Sequence, residues 1–87
     1  MHIKSLRIKQ TGDDQAKIEA TIADESQVLS ESHLLILYFH DEENRIRDRI
    51  NIRVKPAKPG ADVSVSTMFR LKNASFFTYT ASLEKSS

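Results

Sequence analysis

Hydrophobic and charged residues alternate between residues 45 and 55, which read RIRDRINIRVK. Successive side chains of a β-strand point to opposite faces, so this segment predicts a strand with one buried face and one wet, cationic face. The buried face is predicted to carry Ile46, Ile50, Ile52 and Val54. The cationic face is predicted to carry Arg47, Arg49, Arg53 and Lys55. The pattern therefore indicates a β-domain, and it holds the most concentrated surface charge in the chain.

The same period of two recurs along most of the chain and predicts further strands. Residues 3–9, 16–23, 63–71 and 77–83 alternate in this way. Residues 33–40, HLLILYFH, are apolar on both faces and predict a strand in the middle of a sheet. The segments TGDDQ, DEEN and PAKPG carry turn residues between them. Six predicted strands with short turns and no confident helix favour an antiparallel sandwich or barrel.

Two adjacent phenylalanines, Phe76 and Phe77, lie at the start of the last predicted strand, and in a strand only one of them can face the core. Phe77 is in phase with Tyr79 and Leu83, so we predict that Phe77 points inward. Phe76 would then either add to an apolar protein-contact patch at the surface or, in the interpretation we favour, be covered by the end of the sandwich or by a parent domain.

The composition is that of one small globular domain, residues 1–87. Thirteen Lys and Arg residues stand against twelve Asp and Glu, so the net charge is +1 and no overall field attracts nucleic acid or an anionic membrane. The chain has no cysteine, which excludes disulfide and thiolate chemistry. Its longest apolar run, residues 34–39, is far shorter than the ~20 residues that span a bilayer. We expect a soluble domain, whose compartment the composition leaves unknown.

Three segments follow one another in a characteristic order. AKIEATIADES is a strand that leads into a loop, LILYFHDEENRI is an apolar strand that runs into an acidic turn, and KPAKPGADVSV is a proline, glycine and acidic lead-in to a strand. In these segments the chain resembles, over residues 16–83, the small bacterial immunoglobulin-like sandwich domains called FxLYD. It departs from that family at Asp24, where the family tends to have asparagine, and at Asn44, where the family tends to have glycine.

The resemblance implies a fold, the kind of protein in which the domain occurs, and a location. The fold is a single immunoglobulin-like antiparallel β-sandwich of six to seven strands. Such domains occur as non-catalytic parts of bacterial envelope or secreted proteins, so the resemblance favours that location. It supplies no active-site residues for this chain.

The cationic side of the RIRDRINIRVK strand is the candidate partner-binding site, because arginine's planar fork pairs with carboxylates and phosphates. The candidate residues are Arg45, Arg47, Arg49, Arg53 and Lys55. The competing interpretation is a solvated edge strand whose charges prevent pairing with another chain. Asp48 and Asn51 dilute the row of cations, and this strand has no outward aromatic of the kind that nucleic-acid surfaces interleave with cations.

No set of residues predicts catalysis, a cofactor or a metal site. His33, His40 and the acidic turn 41–43 contain metal-capable groups, but their spacing matches no zinc or calcium loop. There is no nucleophile elbow and no glycine-rich phosphate loop. Residues 73–75 fit a glycosylation sequon, which we interpret as a chance turn sequence.

We therefore expect a non-catalytic protein-interaction or scaffolding module, of the kind found as one domain of a larger bacterial protein. It would bind another domain, another chain or a copy of itself through an edge strand, or through the outward face of residues 34–40 and 45–55. The alternative is a small β-barrel that binds nucleic acid or another polyanion through Arg47, Arg49 and Arg53.

Overall fold

A computed structural model describes residues 1–12, 14–25, 27–28, 31–56, 58–71 and 76–85. Six strands and no helix lie within these ranges, so no helix there is long and apolar enough to cross a membrane. The strands are β1 (His2–Gln10), β2 (Gln15–Ala23), β3 (His33–His40), β4 (Ile46–Val54), β5 (Val63–Arg70) and β6 (Thr78–Lys85). Each strand lies on a segment that the hydrophobic pattern predicts to be extended. The sequon at 73–75 falls outside the described residues.

The strands form two antiparallel sheets. The first sheet has the order β1-β2-β5 and the second has the order β4-β3-β6. The all-β class with two antiparallel sheets is thereby confirmed, and so is the central position of the apolar segment 33–40 as β3. β2 and β3 are the central strands of the two sheets, and the other four strands are sheet edges.

The core lies between the two central strands. Ile18 and Ile22 of β2, and Leu35, Leu37 and Phe39 of β3, have no exposed surface. They form two adjoining clusters in which side chains from both sheets meet. Burying an aliphatic or aromatic side chain of this size contributes about 1.5–3 kcal/mol, so these residues hold the sheets together.

Of the two phenylalanines before β6, Phe77 does not point inward as predicted, whereas Phe76 is covered by the sandwich, the interpretation we favoured for it. Phe76 packs inward, with its ring centroid 4.8 Å from that of Phe39, whereas Phe77 is 69% exposed. The prediction was wrong because both residues precede β6, which begins at Thr78. The Phe77 N–H donates to the backbone carbonyl of His40 in the segment that leads into β6. The alternation of inward and outward side chains in β6 does not continue back into that segment.

A β-bulge changes the faces at the start of β4. Phe39 pairs with Asp48, but the next residue, His40, pairs with Ile46, so Arg47 is an extra residue in β4. Ile46, predicted to be inward, is 58% exposed for this reason. Asp48 does not dilute the cationic face as expected, because it lies on the inward side and is only 9% exposed.

Candidate functional site

The side of the second sheet that faces away from the core brings together an apolar row and a row of cations. Because Leu35, Leu37 and Phe39 point into the core, the alternate residues of β3 point outward. The register places β4 residues on one side of that row and β6 residues on the other. We call this surface the arginine–tyrosine face; it consists of Leu34, Ile36, Tyr38, Arg49, Asn51, Arg53, Thr80, Ser82 and Glu84.

Ile36 at the centre of this face is only 1% exposed, although it does not belong to the core between the sheets. Its neighbours on the same face are placed to cover it. Leu34 and Tyr38 flank it along β3, and Arg49 and Arg53 lie diagonally across on β4, within reach of long side chains. Arginine stems bury their methylene groups on apolar surface while the guanidinium stays in water. Arg49 and Arg53 are thus placed so that their stems can lie against Ile36 while their charged ends stay in water.

Tyr38 and Arg49 are in direct contact across the hairpin. They are paired in the β3–β4 register, and the guanidinium carbon of Arg49 lies 5.5 Å from the centroid of the Tyr38 ring. The Arg49 Nε also donates to Asn51 Oδ1 at 3.3 Å. The aromatic that β4 lacks is thus supplied by the neighbouring strand. Sequence reasoning missed it by considering β4 alone; alternation gives the outward phase of Tyr38, but its pairing with Arg49 depends on the hairpin register.

Two of the predicted cations are already bound to a carboxylate. The Nε atoms of Arg45 and Arg47 each donate to Asp41 Oδ2 at 3.0 Å. The other carboxylate oxygen accepts the backbone N–H groups of Arg45 and Glu43, in a turn where Asn44 has a φ of 64°. The hydrogen bond from the Arg45 backbone, aided by both guanidinium groups and the Glu43 N–H against some desolvation, lowers the pKa of Asp41 to about 2. Arg45 and Arg47 thus belong to a structural cluster at the turn.

The other predicted cations remain available. Arg53 and Lys55 form no ion pair within the part of the chain that the structure describes, and Arg49 contacts an aromatic ring and an amide rather than a carboxylate. Arg49 and Arg53 lie on β4, an open edge of the second sheet, and Lys55 directly follows it; charges there also hinder pairing with another strand. The usable positive charge of the site is therefore Arg49, Arg53 and Lys55.

The described residues do not assemble a metal site. No group of three His, Cys, Asp or Glu side chains among them lies close enough to hold an ion. His33 and His40 lie at opposite ends of β3. His33 Nδ1 is 2.9 Å from the carbonyl of Glu31, and His40 Nε2 is 3.0 Å from Thr80 Oγ1. The two histidines thus lie apart from each other, and each has a hydrogen-bonding group within reach.

The outer side of the first sheet has a different character, with a groove of about 530 Å³. Its floor is formed by hydroxyl side chains, with Arg7 and Glu19 beside them. We call this surface the hydroxyl face; its groove contains Ser5, Thr21, Ser64 and Ser66.

Comparison with known proteins places the chain in no family. No protein-family model, no curated protein and no solved structure matches it.

Proposed function

We propose that this chain is a non-catalytic binding module that recognises an acidic protein partner through the arginine–tyrosine face. The observation that carries the proposal is the contact of Arg49 with Tyr38 beside Arg53, above the buried Ile36. These cations have no carboxylate partner within the described residues, so a partner's carboxylates can bind them without displacing an existing ion pair.

The chemistry of the face supports recognition of a protein. Tyrosine and arginine are the residue types most enriched where interfaces derive their binding energy, and they act best around an apolar, desolvated centre. Ile36 supplies such a centre, with Leu34 and Tyr38 half-buried on either side. The Tyr38 ring also restricts Arg49, so less side-chain freedom is lost on binding.

We propose further that the sandwich is immunoglobulin-like. The orders β1-β2-β5 and β4-β3-β6 are those that strands A, B and E, and strands C′, C and F, have in immunoglobulin domains. This order and the resemblance to FxLYD domains support a module of a bacterial envelope or secreted protein. Domains of this architecture commonly act as interaction modules, and their function depends on the surface they present.

A second candidate function is binding of single-stranded nucleic acid. The Tyr38–Arg49 contact favours it, because bases stack on aromatic rings and guanidinium planes beside a cationic row. The Asp41 cluster weighs against it, since Arg47 is held there by a carboxylate. We therefore rank it second.

Titration with two probes of matched charge tests these proposals. One probe is an unstructured peptide of glutamate and leucine, and the other is a single-stranded oligonucleotide. The test variant is Arg49→Gln/Arg53→Gln, and the control Arg7→Gln/Lys9→Gln removes the same charge from β1 of the first sheet. We expect the test variant to bind the peptide about tenfold more weakly, as for the loss of two exposed charge pairs, and the control to bind it normally.

Three outcomes would count against the leading proposal. Equal weakening by the two variants would mean that net charge alone drives binding. Absence of peptide binding by the unmodified chain would contradict recognition of acidic proteins. Tighter binding of the oligonucleotide, with a steep loss of affinity as salt rises, would instead favour the second candidate.

A further inference from the structure

The four sheet edges of this domain are not equally protected against pairing with another strand. β1 has a bulge at Lys4 and outward cations, and β4 has a bulge at Arg47, outward arginines and the inward Asp48. Bulges, charges on the strand and inward-pointing charges are the means by which proteins block edge-to-edge association. These two edges are therefore closed to a partner strand.

β5 has none of these features. Its residues pair with β2 without interruption from Val63 to Arg70, so the strand is regular along its length. It carries no charge before Arg70 and no proline, and its outward Met68 is 57% exposed. β6 is also regular, but it ends in two charged residues, Glu84 and Lys85. β5 is thus the edge best suited to accept another strand.

We infer that β5 pairs with β5 of a second copy of this chain, antiparallel about a twofold axis at Ser66. In that register Ser66 lies opposite its own copy and Ser64 lies opposite Met68. Asp62, just before the strand, then lies opposite Arg70, so each end of the seam pairs a carboxylate with a guanidinium. Both groups are exposed and each has a partner in its own chain, Asp62 with Lys4 at 3.0 Å and Arg70 with Asp14 at 3.3 Å, so the seam shares or exchanges these surface ion pairs.

Self-pairing at β5 has a specific structural consequence. The two first sheets become one continuous six-stranded sheet, because each contributes three strands. The contact is isologous, as in most homodimers, and it closes on itself without forming a fibre. Met68 loses exposed surface against Ser64 and Ser66 of the second copy. β6 has no equivalent, because a twofold axis near its middle places Glu84 opposite a threonine.

Unique cysteines test this register, since the chain contains none. Residues directly opposite in an antiparallel pair have Cα atoms about 4.5 or 5.5 Å apart, and both separations are within reach of a disulfide. We expect Ser66→Cys to form a disulfide dimer under mild oxidation. Ser64→Cys alone should not, because its two copies are offset by about 13 Å along the seam. A mixture of Ser64→Cys and Met68→Cys should form the crossed disulfide.

A charge variant of the cysteine-free chain gives an independent test of the same register. Ser66→Lys places two ammonium groups opposite each other, and we expect it to raise the dimer dissociation constant about fivefold in sedimentation equilibrium. Ser5→Lys, on the protected β1 edge of the same sheet, should leave that constant unchanged. The inference is overturned if the unmodified chain is monomeric at about 1 mM, a concentration at which even weak pairs form. It is also overturned if Ser64→Cys cross-links as fast as Ser66→Cys.

Discussion

The two sheets of this sandwich share one core but present different outer faces. On the hydroxyl face the central strand β2 exposes Lys17 and Glu19, which form an ion pair at 3.1 Å, followed by Thr21. On the arginine–tyrosine face the central strand β3 presents Ile36, which is almost fully covered, beside Tyr38. The comparison shows that a central strand of strict alternation leaves a solvated outer face. A central strand that is apolar on both sides instead requires its neighbours to cover the second side.

The largest expected effect comes from removing the apolar centre of the arginine–tyrosine face. Ile36→Ala should lower the free energy of unfolding by about 2–3 kcal/mol, because it removes buried aliphatic groups and leaves a void at the centre of this face. Thr21→Ala, in the matching row of the hydroxyl face, should change it by no more than about 0.5 kcal/mol. Urea unfolding measures both. Equal losses in the two variants would mean that the two outer faces do not differ in packing.

The second prediction concerns acid. The pKa of Asp41 is lowered to about 2 in the folded protein, below its ordinary value of 3.8. A carboxyl group with a depressed folded-state pKa stabilises the protein fully above its unfolded pKa, and this stabilisation is lost as pH falls toward the folded value. Thermal unfolding should therefore show Asp41→Asn to be less stable than the unmodified chain at pH 7. The gap should close between about pH 4 and pH 2.

Glu19→Gln is the matched control for the acid experiment, since Glu19 lies on the first sheet and, among the described residues, its carboxylate is ion-paired with Lys17. It should retain the steep acid-dependent loss of the unmodified chain over the same range. If Asp41→Asn retains that loss as well, the cluster around Asp41 is not its source.

The smallest expected effect is the coupling between Tyr38 and Arg49. A double-mutant cycle with Tyr38→Leu and Arg49→Gln should give about 0.5–1 kcal/mol, the range for a guanidinium on an exposed ring. A parallel cycle with Lys17→Gln and Glu19→Gln should give a similar value at low salt. In ~0.5 M salt only the Tyr38–Arg49 coupling should persist, because screening acts most strongly on exposed ion pairs. If both couplings vanish together, the ring contact adds nothing beyond charge.

Much of the fold follows from residue patterns that act locally. Alternation in β2 and the doubly apolar β3 are sufficient to predict extended strands, and a doubly apolar strand belongs at the centre of a sheet. The exceptions are positions where alternation is interrupted. The bulge at Arg47 exposes Ile46, and such an extra residue depends on the hairpin as a whole.

The candidate site was harder to predict than the strands, because it depends on register between strands. The cations of β4 are evident in the sequence, but which of them a carboxylate neutralises depends on the turn that brings Asp41 to Arg45 and Arg47. The contact of Tyr38 with Arg49 likewise requires the two strands to be aligned. The segment before β6 is a further case: its conformation decides which of Phe76 and Phe77 packs inward, and strand periodicity does not predict that conformation.

The most direct test of the central claim is an NMR titration of the isotopically labelled chain with the peptide of glutamate and leucine. We predict that amide shifts concentrate at Tyr38, Arg49 and Arg53, while Lys17 and Thr21 on the hydroxyl face stay unchanged. Shifts that spread equally over both outer faces, or that concentrate on the hydroxyl face, would contradict recognition through the arginine–tyrosine face.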